Sequence, residues 1–369
     1  MSSSKKIGRR EALKIFGAGG VGLSGVVGGL VGVEGMAAAD DVAGRPGTRG
    51  DTLPGRRPAQ AVTLKRVAAD PTKVPPPING AAPRTRSFTL VGREAIAEIE
   101  SGATFKYMTW NNQVPGPMLR VRQGDTVRLT VKSAEENKSA HNVDFHAVYG
   151  PGGGAADTLV GPGQQKTIQF RAEYPGAFIY HCAVPNIDEH ISSGMFGMIL
   201  VEPPEGLTPV DHEFYLGQNE VYTDQPRGTS GHHAFDIPSM IRETPSYVLL
   251  NGEDFALTPS NRGAIQVKRG ETARIFFVNG GPNLLSSFHP IGNVWTKAWP
   301  AGALANPPLR YVQTLPVPPG STGVFEMDFP VPEPIKLVDH AISRWIRQGM
   351  LGIIQVSGEE QPDIYKAIS

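Results

Sequence analysis

Apolar and polar side chains alternate along residues 126–132, with Val127, Leu129 and Val131 set against Arg128, Thr130 and Lys132. The pattern returns at 167–171, where Ile168 and Phe170 are the apolar positions. Side chains of an extended strand point alternately to its two faces, so a period of two predicts strands that lay one face on a core. Turn signals punctuate these runs at Val114-Pro115-Gly116-Pro117, Gly161-Pro162-Gly163 and Tyr174-Pro175-Gly176, and the strand patterns begin near Ser87–Val91. Short antiparallel strands packed as a β-sandwich are expected.

An internal repeat doubles that unit. Val121-Arg122-Gln123-Gly124-Asp125-Thr126-Val127-Arg128 returns as Val267-Lys268-Arg269-Gly270-Glu271-Thr272-Ala273-Arg274, and Gly194-Met195-Phe196-Gly197-Met198-Ile199 returns as Gly349-Met350-Leu351-Gly352-Ile353-Ile354. Pro162-Gly163 is echoed by Pro319-Gly320. Two tandem copies of one sandwich explain all three matches. The length of 369 residues leaves room for two domains. The 44 glycines and 33 prolines are spread along the chain, as many short strands joined by turns require. A formal net charge of zero offers nothing to recruit a nucleic acid.

The N-terminus reads as an export signal, residues 1–39. Lys5, Lys6, Arg9, Arg10 and Lys14 form a basic region in which Gly8-Arg9-Arg10-Glu11-Ala12-Leu13-Lys14 resembles a twin-arginine motif. A glycine-rich apolar stretch from Ile15 to about Val33 then runs into Met36-Ala37-Ala38-Ala39. The alternative is an uncleaved anchor; the glycines and the small residues at a cleavage position favour a leader, leaving no membrane span in the mature form. Residues 40–84, rich in Pro, Gly, Arg and Ala, read as an extended arm, partly ordered at best. With Cys182 the only cysteine, no intrachain disulfide can form.

That cysteine marks the chemistry. His181-Cys182 is followed by His190 and Met195, and His141-Asn142-Val143-Asp144-Phe145-His146 lies upstream. A thiolate, two imidazoles and a thioether suit electron-transferring copper. Zinc would more often recruit further thiolates or carboxylates. Parity sorts the histidines: His141 and His146 are five apart and His181 and Cys182 are neighbours, so each pair diverges on an extended chain. One face would hold His141, Cys182, His190 and Met195; the other would hold His146 and His181, with Asp144 on that second face. Two imidazoles are an incomplete metal site. In the second copy His181-Cys182 becomes His340-Ala341 and His190 becomes Trp345, so that copy keeps a histidine without the thiolate; Trp345 and Met350 read as core. His340 is either a structural histidine or the missing third ligand, brought from a neighbouring chain by a head-to-tail contact that closes by rotation.

At His-Asn-Val-Asp-Phe-His-Ala (141–147), Tyr-His-Cys-Ala (180–183), Ser-Ser-Phe-His (286–289) and Val-Asp-His (338–340) the chain resembles the copper-containing nitrite reductases, from about residue 75 to 360. The resemblance implies an all-β protein of two Greek-key β-sandwich (cupredoxin) domains in tandem, here 85–205 and 206–369, assembled as a homotrimer. It implies one type 1 copper per chain on His141, Cys182, His190 and Met195, and one type 2 copper on His146 and His181 with His340 from the neighbour. It implies that Asp144 and His289 are the active-site pair, that Ile291 packs over the substrate copper, and that the Cys182–His190 interval belongs to the shorter-loop branch. The expected reaction is reduction of nitrite to nitric oxide, in the periplasm or otherwise outside the cytoplasm. The electron would come from a small donor such as a blue copper protein or a c-type cytochrome and pass along the Cys182-His181 peptide. Asp144 beside a ligand histidine is more often only a hydrogen-bonding neighbour, a role compatible with carrying a proton.

Some positions depart from the family. Pro290 follows His289 where an aliphatic residue is expected, Asp188 and Glu189 place negative charge before His190, and Trp295 to Leu309 matches poorly. His212, His232 and His233 are expected at the surface. Two other functions fit the residues less well. A laccase-type oxidase needs His-x-His pairs; the chain has nine histidines, two already in the thiolate set, and no His-x-His. A non-catalytic electron-transfer protein would lack His146, His181 or His340, and all are present.

Overall fold

The computed structural model describes residues 61–78 and 82–368, all within one compact unit. The leader and the first part of the arm lie outside them. Four sheets are built. In the first half, Gly231–His233, Ala103–Trp110, Thr85–Glu100, Thr126–Ser133 and Gln165–Arg171 form one sheet in that order; Leu119–Arg122, Phe196–Glu202, Gly176–His181 and Asp144–Phe145 form the second. In the second half, Tyr247–Leu250, His212–Val221, Thr272–Gly281, Ser321–Asp328, Trp295–Pro300 and Leu309–Val312 form the third, and Ile265–Lys268, Leu351–Ser357, Pro334–Asp339, Ser286–Ile291 and Leu315–Val317 the fourth. The protein is all-β, with two cupredoxin sandwiches in tandem.

Three cores separate these sheets, and parity decides which side chain enters which. In Phe196–Glu202, Phe196, Met198 and Leu200 enter the core shared between the two halves, whereas Ile199 and Val201 enter the core of the first half. In Thr272–Gly281, Phe276 and Val278 face the shared core while Ile275 and Phe277 face that of the second half. Both strands are buried along nearly their whole length because both faces are covered, and apolar residues fill most of their positions. Each large side chain buried this way contributes roughly 1.5–3 kcal/mol. Val127, Leu129 and Val131 are fully buried as their alternation predicts; Ile168 and Phe170, on an edge strand, are only half-buried.

The repeat is structural as well. Val121 pairs with Val201 and Val267 with Val356, in both copies a short strand running parallel to the last one of its sheet. The shared Gly124 and Gly270 have φ +86° and +87°, a left-handed turn that glycine adopts without strain. Trp345 departs from the expectation of core: it is half-buried on the helix Ile342–Gln348 and packs against the core from outside, whereas Met350 is fully buried. Pro290 sits within Ser286–Ile291 opposite Leu337, and the strand continues through it. The poorly matching segment contributes Trp295–Pro300, paired with Ser321–Asp328.

The described part of the arm is more ordered than its composition suggests. Val67 and Ala68 donate backbone hydrogen bonds to Glu253 at 3.0 and 2.9 Å, Arg66 pairs with the same carboxylate at 2.7 Å, and Ala68 bridges to Val114. A segment from before the first sandwich is thus tied to both halves.

Candidate metal centres

Gly176–His181 positions both centres. Its alternation sends Ala177 and Ile179 into the shared core and Tyr180 into the first, so Cys182 continues on the side of Tyr180 and His181 on the side of Ile179. Asp144 pairs with His181 across the strands, on the side opposite Phe145 and Tyr180. The structure therefore brings together the two groups that parity assigned: His141, Cys182 and His190 in one, Asp144, His146 and His181 in the other.

In the first group, a bridge to Val160 holds His141, with backbone bonds of 3.0 and 2.8 Å. His190 comes from the short helix Ile187–Ser192, and the Met195 carbonyl accepts the Cys182 N–H at 3.0 Å. The Cys182 Sγ lies 3.4 Å from His190 Nδ1 and 3.9 Å from His141 Nδ1. Donors sharing one ion at bond lengths of about 2.0–2.3 Å must sit about this far apart. All four side chains, Met195 included, are buried. Burial drives the Cys182 thiol upward and the His190 imidazole down to about 4, the latter reinforced by His141. A cation reverses the first effect, because a coordinated thiol is deprotonated outright. The donor set fits copper.

In the second group the two Nε2 atoms of His146 and His181 face each other at 3.1 Å. His181 Nδ1 donates to the Cys182 carbonyl at 2.9 Å, which leaves His181 Nε2 as a bare acceptor. Burial, then the neighbouring His181, lowers the His146 pKa, and the two Nε2 atoms aim at one point. His181 is buried, Asp144 half-buried and His146 exposed, an open site.

His289 and His340 join neither group among the described residues. They form a pair of their own, ring centroids 5.1 Å apart, at the end of the second sandwich. The His289 ring bonds the Gln313 carbonyl at 2.8 Å, and the His340 N–H bonds Ser287 at 2.7 Å. Ile291, half-buried, follows His289 by two on the same strand and shares its face. Before His340, buried Asp339 accepts the Ser287 and Ala341 N–H groups at 3.0 Å each and pairs with Arg344 at 2.7 Å, which fixes the strand end from which exposed His340 projects.

Of the histidines expected at the surface, His232 is exposed and His212 is half-buried and paired with Glu271 at 2.7 Å. His233 is a correction: it is fully buried, its Nε2 bonded to the Thr229 carbonyl at 2.7 Å. The short strand Gly231–His233 pairs with Ala103–Phe105, and that long-range pairing carries the ring inside. Glu189 sits half-buried before His190, its carboxyl pushed up by burial despite Lys106. Sequence reasoning missed Glu94, a buried carboxylate 3.8 Å from His141 Nε2. Burial raises its pKa, but the facing His141 imidazole, the Lys106 ammonium and the Ser139 N–H outweigh this and hold it well below the usual range. A lone Glu in a long strand gives no signal of this; only the fold sets it behind the imidazole.

A multicopper oxidase family model matches residues 93–206. A copper-containing nitrite reductase of Neisseria meningitidis serogroup A is 41% identical over 302 residues, covering 82% of this chain and 77% of that relative. One of Cereibacter sphaeroides is 32% identical, with 80% and 85% covered. Among solved structures, the copper nitrite reductase of Nitrosomonas europaea superposes with a TM-score of 0.67 at 32% identity, covering 76% of this chain and 96% of that one.

Proposed function

The chain belongs to the copper-containing nitrite reductases, and we propose that it reduces nitrite to nitric oxide and water with one electron and two protons, using two copper ions per chain. His141, Cys182, His190 and Met195 hold the first. His146 and His181 hold the second, completed by His340 of the partner subunit in a homotrimer. When bound, copper supplies a one-electron relay at the thiolate site and a Lewis acid for the nitrite oxygens at the histidine site.

The observation that carries this reading is the divergence at one peptide bond: His181 and Cys182 belong to different donor groups, so a single covalent link joins them. An electron-transfer protein needs only the Cys182 group; a second, open group beside a carboxylate that pairs with no cation among the described residues serves a reaction that consumes protons. Asp144 stands beside both imidazoles and is half open to solvent, so it can hold a proton near bound nitrite. His289, fixed by Gln313 and paired with His340, would arrive with the partner's second sandwich as the other proton carrier, and Ile291 on the same face would wall the substrate position. The leader at 1–39 would export the folded protein, and a small blue copper protein or c-type cytochrome would supply electrons near His190.

The test is anaerobic nitric oxide release, read with an electrode after nitrite is added to copper-loaded protein and an artificial reductant. Steady release that disappears in His146→Ala is expected. Protein that shows the thiolate-to-copper visible band yet releases nothing would overturn the reading in favour of an electron-transfer protein.

A further inference from the structure

The strand Thr85–Glu100 closes the far side of the thiolate site with a glycine and a carboxylate two residues apart on one face. At Gly92 a side chain would meet the Met195 Cε at 3.2 Å and the His141 Cδ2 at 3.3 Å, so the backbone passes directly over the thioether and the imidazole. The strand is pinned there: the Gly92 carbonyl accepts Ala134 N–H at 3.0 Å and Asn137 Nδ2 at 2.9 Å, and Asn137 Oδ1 accepts the Glu94 N–H at 2.9 Å.

Glu94 is 6% exposed. Its Oε1 accepts Lys138 and Ser139 N–H bonds at 2.8 and 2.6 Å and faces His141 Nε2 at 3.8 Å; its Oε2 pairs with Lys106 Nζ at 2.6 Å. His141 Nε2 is buried and forms no hydrogen bond of its own among the described residues. His141 turns Nδ1 toward Cys182, so Nε2 is the atom that carries hydrogen, and the carboxylate is the anion it meets.

From this geometry, and resting on the copper reading above, we infer that Glu94 is a positioning residue that holds the Nε2–H tautomer of His141 and, as a buried anion, favours the oxidised copper ion. A carboxylate behind a ligand imidazole makes it a stronger donor, and a fixed negative charge favours the higher positive charge at the metal. Lys106, nearly half exposed at the other carboxylate oxygen, opposes that field. The pair therefore sets the reduction potential from two sides, and neither member touches nitrite.

The experiment is a redox titration of the visible band in the copper-loaded protein, the Glu94→Gln variant and the Lys106→Gln variant. Removing the anion is expected to shift the equilibrium about tenfold toward the reduced ion, ~59 mV upward for one electron. Removing the cation leaves the carboxylate unopposed and is expected to lower the potential. A merely structural role would not give opposite signs. A Glu94→Gln protein with an unmoved potential, or two variants moving in the same direction, would overturn the inference. If Glu94→Gln retains no copper, the sign of Lys106→Gln decides, and any result but a downward shift overturns it. Absence of the visible band in the unmutated protein would refute the copper site itself, a distinguishable failure.

Discussion

Replacing Gly153 by alanine separates backbone strain from displacement of the proposed proton carrier. Gly152 and Gly153 lie in the turn Pro151–Gly154 with φ of +56° and +58°. A left-handed conformation costs a non-glycine residue roughly 1–2 kcal/mol, so either alanine should lower stability by that amount. Their surroundings differ. An alanine Cβ at 152 has Ala155 Cβ as its nearest neighbour, at 3.5 Å, an ordinary contact. At 153 it would overlap the Asp144 carboxylate and lie 2.8 and 2.9 Å from the Phe145 carbonyl and amide. Either the turn or the Asp144–Phe145 strand must then give way, and a misplacement of about 1 Å at a catalytic group costs on the order of 10²-fold. Gly153→Ala should thus lose about that factor in steady-state nitric oxide release at unchanged copper content, while Gly152→Ala stays near the parent rate. Denaturant midpoints would report the shared strain. Equal turnover in the two variants would refute the argument that the glycine turn exists to seat Asp144.

Two further outcomes follow from the same geometry. His340 is exposed and anchored through its backbone, so His340→Ala should fold normally, keep the visible band, and fall from two coppers per chain toward one by elemental analysis; an unchanged copper content would remove His340 from the ligand set. In the metal-free protein, burial and then His141 hold the His190 pKa at about 4, whereas the unfolded chain protonates that histidine near 6.5. A histidine whose folded pKa is depressed takes its proton mainly in the unfolded state, so stability should fall as pH drops from about 6.5 to 4, by up to ~3 kcal/mol. His146 is shifted the same way, while carboxylates held low, such as Asp125, lose their contribution only below that window. Denaturant unfolding of the copper-free protein and of a His190→Gln variant at pH 7 and 4.5 measures this, the variant sharing the opposing contribution of raised carboxyls such as Glu189 and Glu220, and an equal change in both proteins would show that the His190 imidazole is not buried as described.

Much of the fold was legible because it rests on local periodicity. The alternation of Val127, Leu129 and Val131, and the repeat of Val121–Arg128 at Val267–Arg274, each report a strand whose neighbours follow the same rule in both copies. The division of the donors was legible for the same reason: adjacent side chains on a strand diverge, so His181 and Cys182 had to serve different groups. His233 was misread, and the anchoring of residues 66–68 gave no signal, because burial there comes from partners far along the chain, the Ala103–Phe105 strand for one and Glu253 for the other.

By itself, then, the sequence determined the strand periods, the doubling of the sandwich and the chemical types and parity of the donors, since all of these are set by residues within one short span of chain. Only the tertiary structure decided that Glu94 backs His141, that Gly153 lies against Asp144, and that His289 and His340 form a pair apart from His146 and His181 within one chain. These depend on the register of strands and turns distant in sequence, and packing selects that register through the whole set of buried faces at once rather than through any local pattern.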